Sequence, residues 1–291
     1  MDYTKAVQCG KDTVICGVKN FNAAQILDCG QCFRWIETRG GFIGIAHGRE
    51  LKIKTDGDNL ILFDVSLDEF ESTWKDYFDL GRDYTAIVEA YSRDSSLARA
   101  TAFSPGIRVL QQDPWETLIT FILSQNSNIP RIKKMVAELC KHFGEPIAGC
   151  STPSYNANNN YAFPTPEALA GLEIDALAPI KPGYRAPYIR DAARRVASRQ
   201  IDLSALGYMS TEDIKTALLQ IHGVGPKVAE CVLLFGFGRV EVCPMDVWIK
   251  RVMTCLYPNG LPVNFKPTAG IAQQYLFHWV RNFPEVLNES D

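Results

Sequence analysis

Lys227 and Asp246 are the residues of this 291-residue chain whose types and spacing promise covalent chemistry. Lys227 stands two residues after a Gly223-Val224-Gly225 turn; Asp246 precedes the apolar-periodic Val247, Ile249, Val252, Met253 and Leu256. A primary amine attacks electrophilic carbon and can hold the product as an imine. A carboxylate aimed at a sugar that is losing its base stabilises the oxocarbenium-like cation. Beside a backbone turn that grips phosphate, the two are the parts of an imine-forming base-excision enzyme. Each has a plainer explanation too: a surface lysine touching phosphate, and a helix N-cap.

The elements around Lys227 read clearly. Ser210 caps a helix with Ile214, Ala217, Leu218 and Ile221 on one face, and Pro226 starts the next at its favoured first position. This helix-hairpin-helix spans about 211–236. Gly223 and Gly225 let the backbone come close to a ligand, and the open amides at the second helix's positive end suit a DNA phosphate without reading sequence. The same turn also serves as an ordinary helix connector. Lys227 falls in that helix's first turn, where the dipole disfavours a cation by up to ~1 kcal/mol.

The remaining chain divides in character. Early on, Phe33–Ile36, Phe42–His47, Leu51–Lys54 and Leu60–Val65 are period-2 runs broken at Gly40-Gly41 and Asp56-Gly57-Asp58, which predicts antiparallel hairpins. Ser66 with Glu69 at the third position opens a helix through Trp74 and Tyr77. Later, Asp113-Pro114-Trp115-Glu116 is a cap, a first-turn proline and a capping-box glutamate, and a stripe from Ile132 to Phe143 ends at Gly144. The polar stretch Cys150 to Tyr161 reads as an exposed loop. The fold class expected is α+β: an antiparallel sheet domain over 1–100 with flanking helices, then an all-α body over 101–291.

Composition excludes several classes. There is no transmembrane-length apolar run, and the N-terminus has no basic-then-apolar export pattern. Nine cysteines, an odd and scattered set, fit reduced thiols and an intracellular protein. The compartment expected is cytoplasm or nucleoid in a bacterium, nucleus in a eukaryote. Net charge is −3, yet Lys181, Arg185, Arg190, Arg194, Arg195 and Arg199 face Asp191 alone, with Arg131, Lys133 and Lys134 as a second basic group. That is a basic face on an acidic body, or a solvated helix face.

The GVGPKVAEC hairpin and CPMDV segment resemble the helix-hairpin-helix glycosylases. Further motifs resemble the 8-oxoguanine DNA glycosylase/lyases of the eukaryotic-like type: Cys29-Gly30-Gln31-Cys32-Phe33-Arg34-Trp35, Gln112-Asp113-Pro114 through Ser124-Gln125-Asn126-Ser127-Asn128-Ile129-Pro130-Arg131-Ile132, Gly183-Tyr184-Arg185-Ala186, and Ala269-Gly270-Ile271-Ala272-Gln273. The resemblance runs from about Phe21 to Phe277. It implies a monomer acting on double-stranded DNA with 8-oxoguanine opposite cytosine. The lesion is flipped out, Lys227 displaces it from C1′, and the strand is cut by β-elimination. By the same resemblance the Gly30 carbonyl meets the lesion's N7–H, Gln273 its Watson–Crick edge, Cys231 and Phe277 its faces, with Pro244 also lining the pocket. Asn126 fills the gap, Arg131 and Arg185 take the orphaned cytosine, Tyr184 wedges the duplex, and Gly223, Gly225 and Val228 hold phosphate.

Some positions depart from that pattern: Trp248 stands where histidine is common, Ser127 interrupts the asparagine run, and Phe235 replaces a methionine. Cys29-x-x-Cys32 has no partner pair with metal spacing, and Cys243 with Cys255 are too few for an iron–sulfur cluster. No metal site or cofactor is expected, a loosely held cation between hairpin and phosphate being left open. The competing readings are a monofunctional alkylated-base glycosylase, which lacks the hairpin lysine, and a non-catalytic helix-hairpin-helix module, which leaves Asp246, Gly30 and Gln273 without purpose.

Overall fold

The computed structural model describes residues 1–150 and 160–288. The loop expected between Cys150 and Tyr161 therefore falls mostly outside the described residues. The chain opens with a hairpin of β1 (Lys5–Cys9) and β2 (Asp12–Cys16), in register from Lys5↔Cys16 to Cys9↔Asp12. After α1 (Ala23–Asp28), the four period-2 runs become β3 (Trp35–Thr38), β4 (Gly41–Ala46), β5 (Arg49–Asp56) and β6 (Asn59–Phe63). Together they form one six-stranded antiparallel sheet in the order β1-β2-β6-β5-β4-β3.

Helices make up the rest. α2 (Leu67–Glu69) and α3 (Lys75–Tyr77) are joined by a wide π-type turn over Phe70–Trp74. Ser66 caps α2 by accepting from the Glu69 amide at 3.1 Å, while the Glu69 carboxylate takes the Trp74 indole N–H at 2.8 Å. Then follow α4 (Tyr84–Tyr91), α5 (Ser95–Phe103), α6 (Pro114–Ser124), α7 (Ile129–Phe143), α8 (Pro166–Ala170) and α9 (Ala186–Ala197). The last are α10 (Leu203–Leu206), α11 (Thr211–Leu219), α12 (Pro226–Gly236), α13 (Val247–Cys255) and α14 (Ala269–Asn282). This is the α+β architecture expected. Among the described residues no helix is long and apolar enough to cross a membrane.

Two compact units are distinguished, and neither is continuous in sequence. Unit 1 comprises Met1–Cys32, Ile53–Gln111 and Gly238–Asp291; unit 2 comprises Phe33–Lys52 and Gln112–Phe237. Unit 1 buries Ile15, Leu60, Trp74, Tyr84, Tyr91 and Tyr275, and with them Arg108, whose guanidinium lies over the Tyr84 ring at 4.3 Å. That guanidinium is matched by the Asp2 carboxylate and by the carbonyls of Asn20 and Asp79, so its charge is not left unpaired in the core. Unit 2 buries the apolar faces of α6, α7, α9 and α12. One of its charged pairs is Arg34 with Glu116 at 3.3 Å, the arginine buried. Asp113 caps α6 as expected, yet Glu116 meets Arg34. Burial pushes the Glu116 carboxyl up, against the pull of Arg34.

Candidate functional site

The candidate residues divide between the two units. Unit 2 holds the hairpin, where Ser210 caps α11 and an ion pair of Lys215 with Glu230 at 2.9 Å ties α11 to α12. Gly223 has φ +82, and a Cβ there would sit 2.2 Å from the Tyr188 ring. Glycine is thus required twice over, by dihedral and by space. The hairpin is braced from α9: the His222 amide donates to Asp191 at 2.8 Å, and the His222 ring meets Tyr188 edge-on at 4.8 Å. Gly225 caps α12 without a side chain, is exposed, and has open space where a Cβ would be. The first amides of α12 therefore face outward with no intrahelical acceptor, the condition for an anion site. The Val228 side chain is buried, leaving only its backbone to such a contact.

Lys227 is half-buried, with Nζ 5.0 Å from the centroid of the Phe121 ring. Phe121 in turn stacks on Phe235 at 5.4 Å and meets Phe33 edge-on at 6.2 Å. The amine thus rests on an aromatic floor whose negative face attracts its cation. Phe235, a departure from the family pattern, extends that floor. Cys231 lies one turn beyond Lys227, buried on the same side of α12.

The loop between α6 and α7 is the other feature of unit 2. Asn126 is exposed with φ +46, and Asn128 caps α7 by accepting from the Arg131 amide at 3.0 Å. Arg131 is exposed in that helix's first turn, again a basic group where the dipole opposes it. Tyr184 is 51% exposed and packs against the Arg185 guanidinium at 4.5 Å. Arg185 itself is only 2% exposed. It donates to the carbonyls of Gln125, Asn126 and Pro182, which fixes the loop's shape. Gln125 completes the brace, its amide donating to the Gly223 carbonyl at 3.0 Å.

Unit 1 holds Gly30, Pro244, Asp246, Gln273 and Phe277. Gly30 follows α1 with φ +82. Asp246 caps α13, accepting from the Ile249 amide at 2.8 Å, and Pro244 just before it is buried. Gln273 is 5% exposed on α14, and its Oε1 has no hydrogen-bond partner. Phe277 is half-buried one turn along the same side of α14. A buried amide oxygen without a partner costs about 1–3 kcal/mol, which a polar ligand edge would recover. Trp248, in the first turn of α13, has the Arg251 guanidinium 5.5 Å from its ring.

Sequence reasoning passed over Gln31, Gln125, Gln274 and Tyr188. Gln31 and Gln125 stand inside motifs quoted above without a role given to them, Gln274 is marked only by following Gln273, and Tyr188 by nothing local. Cys29 and Cys32 are buried and not joined in a disulfide. Burial pushes the Cys29 thiol up to about 11, so it is inert as a thiolate.

A family model described as the N-terminal domain of 8-oxoguanine DNA glycosylase matches residues 13–118, and one described as HhH-GPD superfamily base excision DNA repair protein matches 119–261. The solved structure of MBOgg1 in complex with a low-affinity DNA ligand is 42% identical with a TM-score of 0.90, covering 98% of this chain and 100% of that one. This chain belongs to the 8-oxoguanine DNA glycosylase family. The Clostridium acetobutylicum 8-oxoguanine glycosylase/lyase, solved with dsDNA containing cytosine opposite 8-oxoG, shares that fold at 32% identity, with the same TM-score and coverage. The N-glycosylase/DNA lyase of Saccharomyces cerevisiae is 32% identical over 254 residues, 79% of this chain. The match spans 66% of that relative, just under two thirds of its length.

Proposed function

We propose that this member of the 8-oxoguanine DNA glycosylase family excises 8-oxoguanine opposite cytosine from duplex DNA and then cuts the strand. The lesion is drawn out of the stack, at a cost of a few kcal/mol. The Lys227 amine attacks C1′, the C1′–N9 bond breaks, and the base leaves with the bonding pair and a proton. The sugar opens to an imine. Loss of a C2′ proton then expels the 3′ phosphate by β-elimination. Asp246, kept ionised and oriented by its capping role, offsets the charge of the sugar cation. Gly30 and Gln273 read the base, Cys231, Phe277 and Pro244 contain it, and Gly223, Gly225 and Val228 hold a phosphate through backbone amides. Asn126, Arg131, Tyr184 and Arg185 serve the gap and the orphaned cytosine, Arg185 after exchanging at least one carbonyl partner. We take the protein to act as a monomer in the compartment that holds the DNA.

The observation that carries this reading is Lys227: a half-buried amine on an aromatic floor, in the first turn of a helix whose end is open at Gly225. The names of the relatives, glycosylase/lyase and N-glycosylase/DNA lyase, agree with it. Borohydride trapping on a duplex with one 8-oxoguanine opposite cytosine tests it. A covalent adduct is expected that Lys227→Gln abolishes, with base release lowered by at least about 10³-fold. Base release without an adduct would make the enzyme monofunctional; neither would leave a DNA-binding module.

A further inference from the structure

Gly30 is the weak point of any reader built on its carbonyl. Glycine's dihedrals are soft, and a hydrogen bond fades steeply as its angle closes below about 120°. A carbonyl free to swing would not tell an N7–H from an N7 lone pair. In this chain both sides of Gly30 are tied down, by two buried glutamines for which the family reading has no role.

On the preceding side, the Gln274 amide donates to the Cys29 carbonyl at 2.8 Å. Gln274 is 2% exposed and follows Gln273 directly on α14. On the following side, the Gln31 side chain, 1% exposed, donates to the carbonyls of Ile26 at 2.9 Å and Arg108 at 2.8 Å. Its Oε1 accepts from the Leu110 amide at 2.8 Å. The peptide before Gly30 and the residue after it are thus both held, the Gln31 side-chain amide also donating to the Cys29 thiol at 3.2 Å, so φ and ψ at Gly30 are set by their surroundings. All these residues lie in unit 1.

We infer that Gln274 is a positioning residue for lesion discrimination: with Gln31, it holds the strap at Cys29–Gly30 so that the Gly30 carbonyl keeps one direction towards the flipped base. Gln274 also couples that strap to Gln273, because consecutive residues of one helix cannot shift separately. The two hydrogen-bonding edges of the base are then measured from one rigid element. The Gln273 oxygen, buried and without a partner, marks the second point of that gauge. The inference rests on the 8-oxoguanine reading above.

The test is Gln274→Met, which keeps the volume and removes the donor, with Gln274→Glu as a second variant that sets a carboxylate against the Cys29 carbonyl. Melting curves establish that each is folded. Single-turnover rates are measured on duplexes carrying 8-oxoguanine or an abasic site opposite cytosine. Affinities for 8-oxoguanine and guanine duplexes are measured in a Lys227→Gln background. Excision of 8-oxoguanine is expected to fall about tenfold or more, with abasic-site cleavage within about twofold and the preference over guanine narrowed. Equal losses on every substrate would make Gln274 a structural prop and overturn the inference, as would no loss at all. Should the unmutated protein cut abasic sites yet leave 8-oxoguanine in place, the functional reading itself fails, and the inference with it.

Discussion

In unit 2 two polar side chains turn inward on main-chain carbonyls: Arg185 to Gln125, Asn126 and Pro182, and Gln125 to Gly223. At the hairpin the open groups are the first amides of α12, with the half-buried Lys227 amine in the same turn. In unit 1 the buried glutamines also hold main chain, yet one amide oxygen, that of Gln273, is left over. The contrast matches the two tasks proposed. Phosphate is the same at every nucleotide, so amides at a helix end suffice to hold it. A base must be told from its near-copy, which needs polar atoms whose directions are fixed, the Gly30 carbonyl and the Gln273 amide in the reading proposed. Under the proposed function, indifference to sequence rests on open amides, and discrimination on polar atoms that buried glutamines hold in place.

The sharpest way to break that contrast is Asp246→Asn. Asparagine caps a helix as well as aspartate does, so the melting temperature should hold while excision falls by about 10²-fold. A parallel loss of stability would mean that the carboxylate serves the fold alone. Next in size is Gln273→Met. Excision of 8-oxoguanine should fall about tenfold, whereas removing the unpaired oxygen should stabilise the protein by about 1 kcal/mol. Activity and melting temperature moving in opposite directions is the outcome that separates a reader from core packing.

Gly223→Ala probes the other unit. Its strained φ and the Tyr188 ring should cost roughly 1–3 kcal/mol, and affinity for undamaged and damaged duplexes should drop alike, as gel shifts would show. A loss confined to damaged DNA would give the hairpin a part in reading. The smallest effect concerns pH. In unit 1, burial lowers the His278 pKa, with Arg281 acting the same way, and its Nδ1 has no partner. The folded state thus binds the proton less readily than the unfolded chain. That stability is present above the unfolded value near 6.5 and is lost as pH falls through it towards the lower folded value. Melts at pH 7.5 and 5.5 should show the decline, and His278→Gln should flatten it.

What was legible in the sequence was local. Ser66, Asp113, Ser210 and Asp246 cap helices where they were read, because an N-cap needs only the next three residues. The strands from β3 to β6 followed from alternation and glycine turns. The hairpin of β1 and β2 was passed over, although Gly10-Lys11 between Val7 and Val14 is a two-residue turn signal. The π-type turn at Phe70–Trp74 left no mark on a helical periodicity. Within the candidate site, Lys227, Gly223 and Asp246 announce themselves by turn and cap chemistry. Arg185 and Gln274 do not. Their partners lie some 60 and 245 positions away, at distances where local pattern carries no information.

The interleaving of the two units bears on how the protein is made. Residues of unit 1 come from before and after unit 2, and α14, which carries Gln273 and much of that unit's core, is synthesised after the whole of unit 2. A ribosome that has just passed Phe237 has delivered the whole of unit 2, with its amine and its hairpin, but not the helix that holds the proposed base reader. Products that stop there would carry Lys227 with unit 1 unfinished, and an exposed core is readily attacked by proteases. Under the proposed function, a chain interrupted at that point would carry the nucleophile without the base reader.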